Sequence, residues 1–190
     1  AERRSVLVPS GKTQAFVAIT FAAYNPGRCR NLDEDNLCRI YDRRPLVCRI
    51  YPMEINPHIP FNPAAKECPP ESWEQGPVLI AGGELMDEEL AELIRRSRQA
   101  DRDDVKTKEA VCTLLGIRTT ALKGDGFTAY LPQMDAFAQA IELAASQPCV
   151  ANEWVFHVSG MDIAEQLLDA GAQLATEVPA NYAFIPLRTA

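Results

Sequence analysis

No apolar run in this chain approaches the roughly 20 residues that a membrane-spanning helix needs. None follows Ala1-Glu2-Arg3-Arg4 as the core of a secretory signal would. Net positive charge is also missing. The formal charge is −7, which argues against a general nucleic-acid or anionic-membrane binder. No Ser-His-Asp arrangement, phosphate-binding glycine loop or dinucleotide fingerprint is present. Gly82-Gly83 and Gly124-Asp125-Gly126 are too short to be more than turns. There is no internal repeat and no low-complexity stretch. Cysteine is sparse for the length, six in 190 residues, too few for a disulfide scaffold of the small secreted kind. There is no initiator Met, so residues before Ala1 are expected to have been lost.

What is present is a chain of one domain, or a domain with a small appendage. Hydrophobic residues make up 47% of it, enough for a sizeable core. The cysteines are unevenly placed. Cys29, Cys38, Cys48 and Cys68 fall in one polar, turn-rich stretch, whereas Cys112 sits on an amphipathic pattern and Cys149 follows Pro148. Four thiolates are a ligand set that zinc and iron–sulfur centres use. In the cytosol, the expected compartment, thiols stay reduced and a cluster reads as metal ligands or redox groups. No Cys-x-x-Cys knuckle is present, so spacing alone leaves open two disulfides in a periplasmic protein. Cys112 and Cys149 read as small buried hydrophobes.

Arginine crowds the same stretch, at Arg28, Arg30, Arg39, Arg43, Arg44 and Arg49. Positive charge beside a thiol favours the thiolate and offsets the charge of a metal–thiolate centre. Pairing with Asp33, Glu34, Asp35 and Asp42 is an equal reading for Arg28, Arg30 and Arg39. Arg44 and Arg49 flank Pro45 and Cys48, and are expected close to the site. Tyr41 and Tyr51 could donate to sulfur or pack as core. His58, in a proline-rich loop, reads as a surface residue, and His157 as structural.

The pattern predicts an α+β fold. Phe16–Phe21 alternates as a strand. Strands over 28–32 and 37–41 would form a small meander bearing Cys29 and Cys38, joined by the acidic turn Asp33–Asn36. Pro45 opens a short helix over Leu46–Tyr51 that carries Cys48. Seven prolines between 52 and 77 make a stiff loop leading to Cys68. Helices follow, one with Met86, Leu90, Leu93 and Ile94 on its face, one over 103–115 ending at Gly116, and one after Pro132 with Met134, Phe137 and Ile141 inward. A β-α-β-like tail closes the chain. Its strands lie over 154–158 and 182–187, and its helix ends at Ala170. Residues 1–77 are the expected metal-binding region, and 78–190 a mainly helical region that includes the tail.

The string Cys38-Arg-Ile-Tyr41-Asp-Arg-Arg44-Pro45-Leu-Val-Cys48-Arg49-Ile-Tyr51-Pro52 resembles the YkgJ-like cysteine-cluster family of zinc- or iron-chelating domains. Cys29 stands at the family's upstream cysteine and Cys68 at its later one, so the resemblance spans roughly residues 27–69. The family carries a denser run, Cys-x-x-Cys-x-x-Cys-Cys, upstream of this segment, and no cysteine precedes Cys29 here. The resemblance implies a metal-binding protein that coordinates zinc or iron, the iron alone or in an iron–sulfur cluster. The ligands would be Cys29, Cys38, Cys48 and Cys68, with Arg44, Arg49 and Tyr41 beside them. Some family members are labelled iron–sulfur oxidoreductases, and flagellin lysine N-methylase is similar to the family. An oxidoreductase or methyltransferase-related enzyme is therefore one alternative. A non-catalytic interaction module with a structural metal is another. A metal ion is the implied partner; no membrane and no general nucleic-acid partner is expected.

Overall fold

The computed structural model describes residues 4–23, 27–54, 61–66, 70–146, 152–175 and 181–187. The chain divides into two compact units, residues 22–102 and residues 1–21 with 103–190. The boundary expected at Pro77 falls inside the first of these. Both helices and short strands are present, so the fold is α+β.

The larger unit starts with a hairpin of β1 (Val6–Ser10) and β2 (Thr13–Val17), paired in register Val6↔Val17 to Ser10↔Thr13. Strand period decides its faces. Val6, Val8 and Ser10 are buried, while Leu7 between them is exposed. Gly11 makes the turn with φ 59°, and a Cβ there would lie 2.5 Å from the Gly171 carbonyl oxygen. Any other residue would push the turn off its partner, because Lys12 N–H donates to that same oxygen at 2.7 Å. Val6, Val8 and Val17 pack with Cys112 and Trp154 in one core, flanked by Ile19, Val105 and Ile117. Cys112 lies on α3 (Val105–Leu114) and is buried, as its apolar setting predicts.

The rest of this unit is built from β5 (Thr119–Ala121), β6 (Gly126–Tyr130), α4 (Met134–Ala144), β7 (Val155–His157), α5 (Met161–Asp169) and β8 (Tyr182–Pro186). The tail's two strands do not pair with each other. β7 runs parallel to β5, and β8 antiparallel to β6. The sequence pattern shows neither: β5 has three residues, too few to display alternation, and β6 opens at the end of the Gly124-Asp125-Gly126 stretch that reads as a turn. On α4, Met134 and Ile141 are exposed and Phe137 half-buried, with its ring centre 5.1 Å from that of Phe21 in an edge-to-face contact. The buried residue of α4 is Ala140, a small side chain that a pattern of large apolar residues does not mark.

Tyr130 and Tyr182 face each other across β6 and β8. Tyr130 Oη donates to the Thr119 carbonyl at 2.9 Å, and Tyr182 Oη lies 2.7 Å from His157 Nδ1. Burial pushes both phenols above their ordinary value of 10.0. A phenol raised on folding stabilises the fold below about pH 10 and loses that contribution as pH rises through its folded value. Stability measured by urea unfolding should therefore fall above about pH 10. Tyr130→Phe should cost about 1 kcal/mol at pH 8 through the lost hydrogen bond, and flatten the alkaline decline. A decline as steep as in the parent would show that Tyr130 does not contribute to it.

The smaller unit, residues 22–102, holds α1 (Leu46–Ile50), a hairpin of β3 (Ile80–Ala81) and β4 (Glu84–Leu85), and most of α2 (Glu88–Asp103). Gly82 and Gly83 join the two strands with φ of 58° and 84°. Positive φ at both central residues suits a two-residue hairpin turn and favours glycine. Asp87 Oδ1 accepts from Leu90 N–H at 2.9 Å and caps α2. Leu90, Leu93 and Ile94 bury one face of α2 and form a core with Ile50, surrounded by Leu46, Met53, Leu79 and Leu85. Met86, expected on that face, precedes the helix and is exposed.

Residues 28–41 correct the sequence reading. They are turns rather than two strands, with a single antiparallel bridge, Leu32↔Cys38. Asp33 Oδ1 accepts from the N–H groups of Asp35 at 3.0 Å and Leu37 at 2.8 Å. Such side-chain bonds compete with strand pairing. With Asn36 left-handed at φ 63°, they close the loop after one bridge. Tyr41–Arg43 is a single 3-10 turn instead of a strand end.

Candidate metal centre

The three described cysteines of the stretch stand on consecutive turns joined by one chain of backbone hydrogen bonds. The Cys29 carbonyl accepts from Leu32 N–H at 3.1 Å, and Leu32 bridges Cys38. The Cys38 carbonyl accepts from Tyr41 N–H at 3.2 Å, and the Tyr41 carbonyl from Arg44 N–H at 3.4 Å. The Pro45 carbonyl then accepts from Cys48 N–H at 3.0 Å. Pro45, with φ −60° and ψ 156°, caps α1 and sets Cys48 in its middle. Cys29 and Cys48 are exposed and Cys38 half-buried, and all three are free thiols. Soft thiolates suit zinc or iron, so the donors present fit the implied group by chemistry. Among the described residues, however, no three His, Cys, Asp or Glu side chains stand close enough to hold an ion together. Cys68 and Cys149 lie outside the described residues, as does His58.

Arg44 serves the loop that carries Cys38 and Cys48. Its Nε donates to the Tyr41 carbonyl at 3.0 Å, and its guanidinium carbon lies 3.6 Å from the centre of the Tyr41 ring. That plane-on-ring contact is a cation–π pair that a flat guanidinium makes best. The stack fixes Arg44 across the turn between Cys38 and Cys48, and leaves Tyr41 largely exposed. Arg49 points elsewhere. Its Nη2 pairs with Glu89 Oε1 in the first turn of α2 at 3.4 Å. Glu89 is 80% exposed, so this pair contributes little to stability.

Arg44→Lys should lose both the Nε bond and the stack, at a cost of about 1 kcal/mol. Arg49→Lys keeps its charge opposite Glu89 and should stay within about 0.5 kcal/mol of the parent. Thermal unfolding of the two variants separates the roles; equal shifts would mean that the geometry of Arg44 does not matter.

The sequence reading missed Lys66 and Glu54. Lys66 Nζ pairs with Glu54 Oε1, and both side chains are largely covered, 10% and 29% exposed. The one signal available in sequence is that Lys66 is the first Lys after the arginine-rich stretch from Arg28 to Arg49.

The loop bears three thiols, spaced by arginines and braced by backbone bonds. Residues 3–69 match the model of the CxxCxxCC family, described as "Putative zinc- or iron-chelating domain". The match extends the resemblance drawn from Cys38–Pro52 back to the first hairpin. No curated protein and no solved structure matches the chain. The match supports metal binding in general. Among the described residues no helix is long and apolar enough to cross a membrane.

Proposed function

We propose that this protein holds one zinc or iron centre through Cys29, Cys38, Cys48 and Cys68, with Arg44 and Tyr41 bracing the ligand loop and Arg49 at its edge. The observation that carries this is the relay of backbone bonds that spaces Cys29, Cys38 and Cys48 on adjoining turns with thiols open to solvent or half-covered. A preformed site rarely exists in an unfolded chain, where metal binding and folding draw the ligands together. The separation of the three thiols is compatible with that order of events. Zinc would act as a structural cross-link; iron would add redox capacity. The compartment proposed is the cytosol, where four such thiols stay reduced.

The test is elemental analysis with absorbance spectroscopy on the full chain purified without oxygen. Zinc or iron at about one site per chain, lost in Cys38→Ser, supports the reading. Visible charge-transfer bands select iron and their absence selects zinc. Metal-free protein that takes up neither ion, or that has oxidised its cysteines in pairs, overturns it.

A further inference from the structure

This acidic chain carries one stretch of opposite sign. Six arginines meet four carboxylates across residues 28–49, a net of +2 in a chain of −7. The carboxylates do not use up that charge. Asp33 Oδ1 is committed to the N–H groups of Asp35 and Leu37. Arg44 lies on Tyr41, and Arg49 reaches Glu89. Arg28, Arg30, Arg39 and Arg43 are exposed, and among the described residues none of them has an ion pair, a side-chain hydrogen bond or a ring contact. The pairing with Asp33, Glu34, Asp35 and Asp42 that the sequence allows for Arg28, Arg30 and Arg39 is not made.

The backbone gathers the turns that bear these arginines. Arg39 N–H donates to the carbonyl of Asn31, the residue after Arg30, at 2.8 Å, and Arg43 N–H to the Ile40 carbonyl at 2.9 Å. The same loop shows apolar side chains that the core does not take. Leu37 is 65% and Tyr41 62% exposed, and Val47 on α1 is exposed as well. No Lys falls between Lys12 and Lys66. Arginine and tyrosine without lysine is the composition of protein contact surfaces and of their strongest contacts.

We infer that the exposed surface of the 28–49 loop docks an acidic protein segment, one that interleaves carboxylates with apolar side chains. Charge complementarity names the carboxylates, which a guanidinium fork takes in pairs of hydrogen bonds. The apolar side chains of the segment would cover Leu37 and Tyr41. Nucleic acid fits less well, because Glu34, Asp35 and Asp42 on the same turns repel a continuous run of phosphates. The inference goes beyond the metal reading and does not depend on it.

The test measures binding of the full chain to a labelled peptide with the repeat Glu-Asp-Leu, about twelve residues long and so able to span roughly 40 Å when extended. Fluorescence anisotropy is read in Zn²⁺-supplemented and in chelator-treated buffer. Binding should saturate, weaken as NaCl is raised, and vanish for the same peptide with Gln and Asn replacing its acids. Arg30→Gln with Arg39→Gln should weaken it about 10-fold. Leu37→Ser should weaken it about 3-fold and leave the salt dependence as it was. Lys123→Gln, at an exposed position of the larger unit, should change nothing. Should the double arginine variant fold poorly, Arg28→Gln with Arg43→Gln tests the same surface with the same expected loss. Absence of binding in both buffers overturns the inference, as does equal affinity for the uncharged peptide. Arginine variants that fold and bind like the parent overturn it too. A thymidine oligonucleotide that binds more tightly than the peptide overturns it in favour of nucleic acid. Self-association in sedimentation that the arginine variants abolish overturns it in favour of a second copy of this chain.

Discussion

Cys48→Ser should lower metal affinity by more than about 100-fold, since residues that only orient a ligand already contribute about 10- to 100-fold. The side chain is exposed and the exchange is nearly isosteric. The metal-free protein should therefore change stability by less than about 0.5 kcal/mol. The contrast between loaded and metal-free protein is the informative measurement. Structural zinc binding is worth about 10–16 kcal/mol in small domains, and that energy is folding energy. Hydrogen exchange of the amides in 28–54 should speed up in Cys48→Ser only when the parent is loaded with metal. Amides of α3, in the core with Val8 and Trp154, should not respond. Parent-like metal content in both Cys38→Ser and Cys48→Ser would place the site elsewhere.

Ile50→Ala should destabilise the unit of residues 22–102 by about 2–5 kcal/mol, the range for emptying a buried aliphatic site. Ile50 is fully buried, and it anchors α1 against Leu90, Leu93 and Ile94 of α2. A five-residue helix cannot persist in water without such packing. Releasing it frees the turn that carries Cys48, so metal affinity should fall along with the denaturant midpoint. Val47→Ala is the control. Val47 lies on the same helix with 54% of its surface exposed, and its loss should change stability by less than about 0.5 kcal/mol. Similar midpoints for the two variants would mean that Ile50 is not what fastens α1.

The comparison of sequence with structure is uneven, and the reasons are local. α1, α2 and α3 were legible because helix signals are short-range: Pro45 before α1, acidic residues opening α2, and Gly116 after α3. The apolar faces of α2 and α3 each follow the helical period. β5 and β6 were not legible, because three- and five-residue strands draw their stability from partners far along the chain. Residues 28–41 misled for the opposite reason. Their composition suggests strands, but Asp33 supplies backbone bonds that end the pairing after Leu32↔Cys38.

For the candidate site, the sequence by itself put forward the candidate donors and their chemical class. Thiols interleaved with arginine and proline in a fixed order are a chemical statement that needs no coordinates, and the family match over residues 3–69 agrees with it. The sequence also separated Cys112 from the others, since apolar periodicity buries it. Tertiary structure alone decided which charged side chains brace the loop. Arg44 and Arg49 read alike in sequence, one residue either side of the Pro45–Cys48 turn. Folding stacks the first on Tyr41 and sends the second to Glu89. Lys66 and Glu54 read as ordinary surface charges until packing covers both. The physical reason is range. Ligand type and turn chemistry are written within a few residues, whereas the partner of a long charged side chain depends on which distant segment the core brings within its reach.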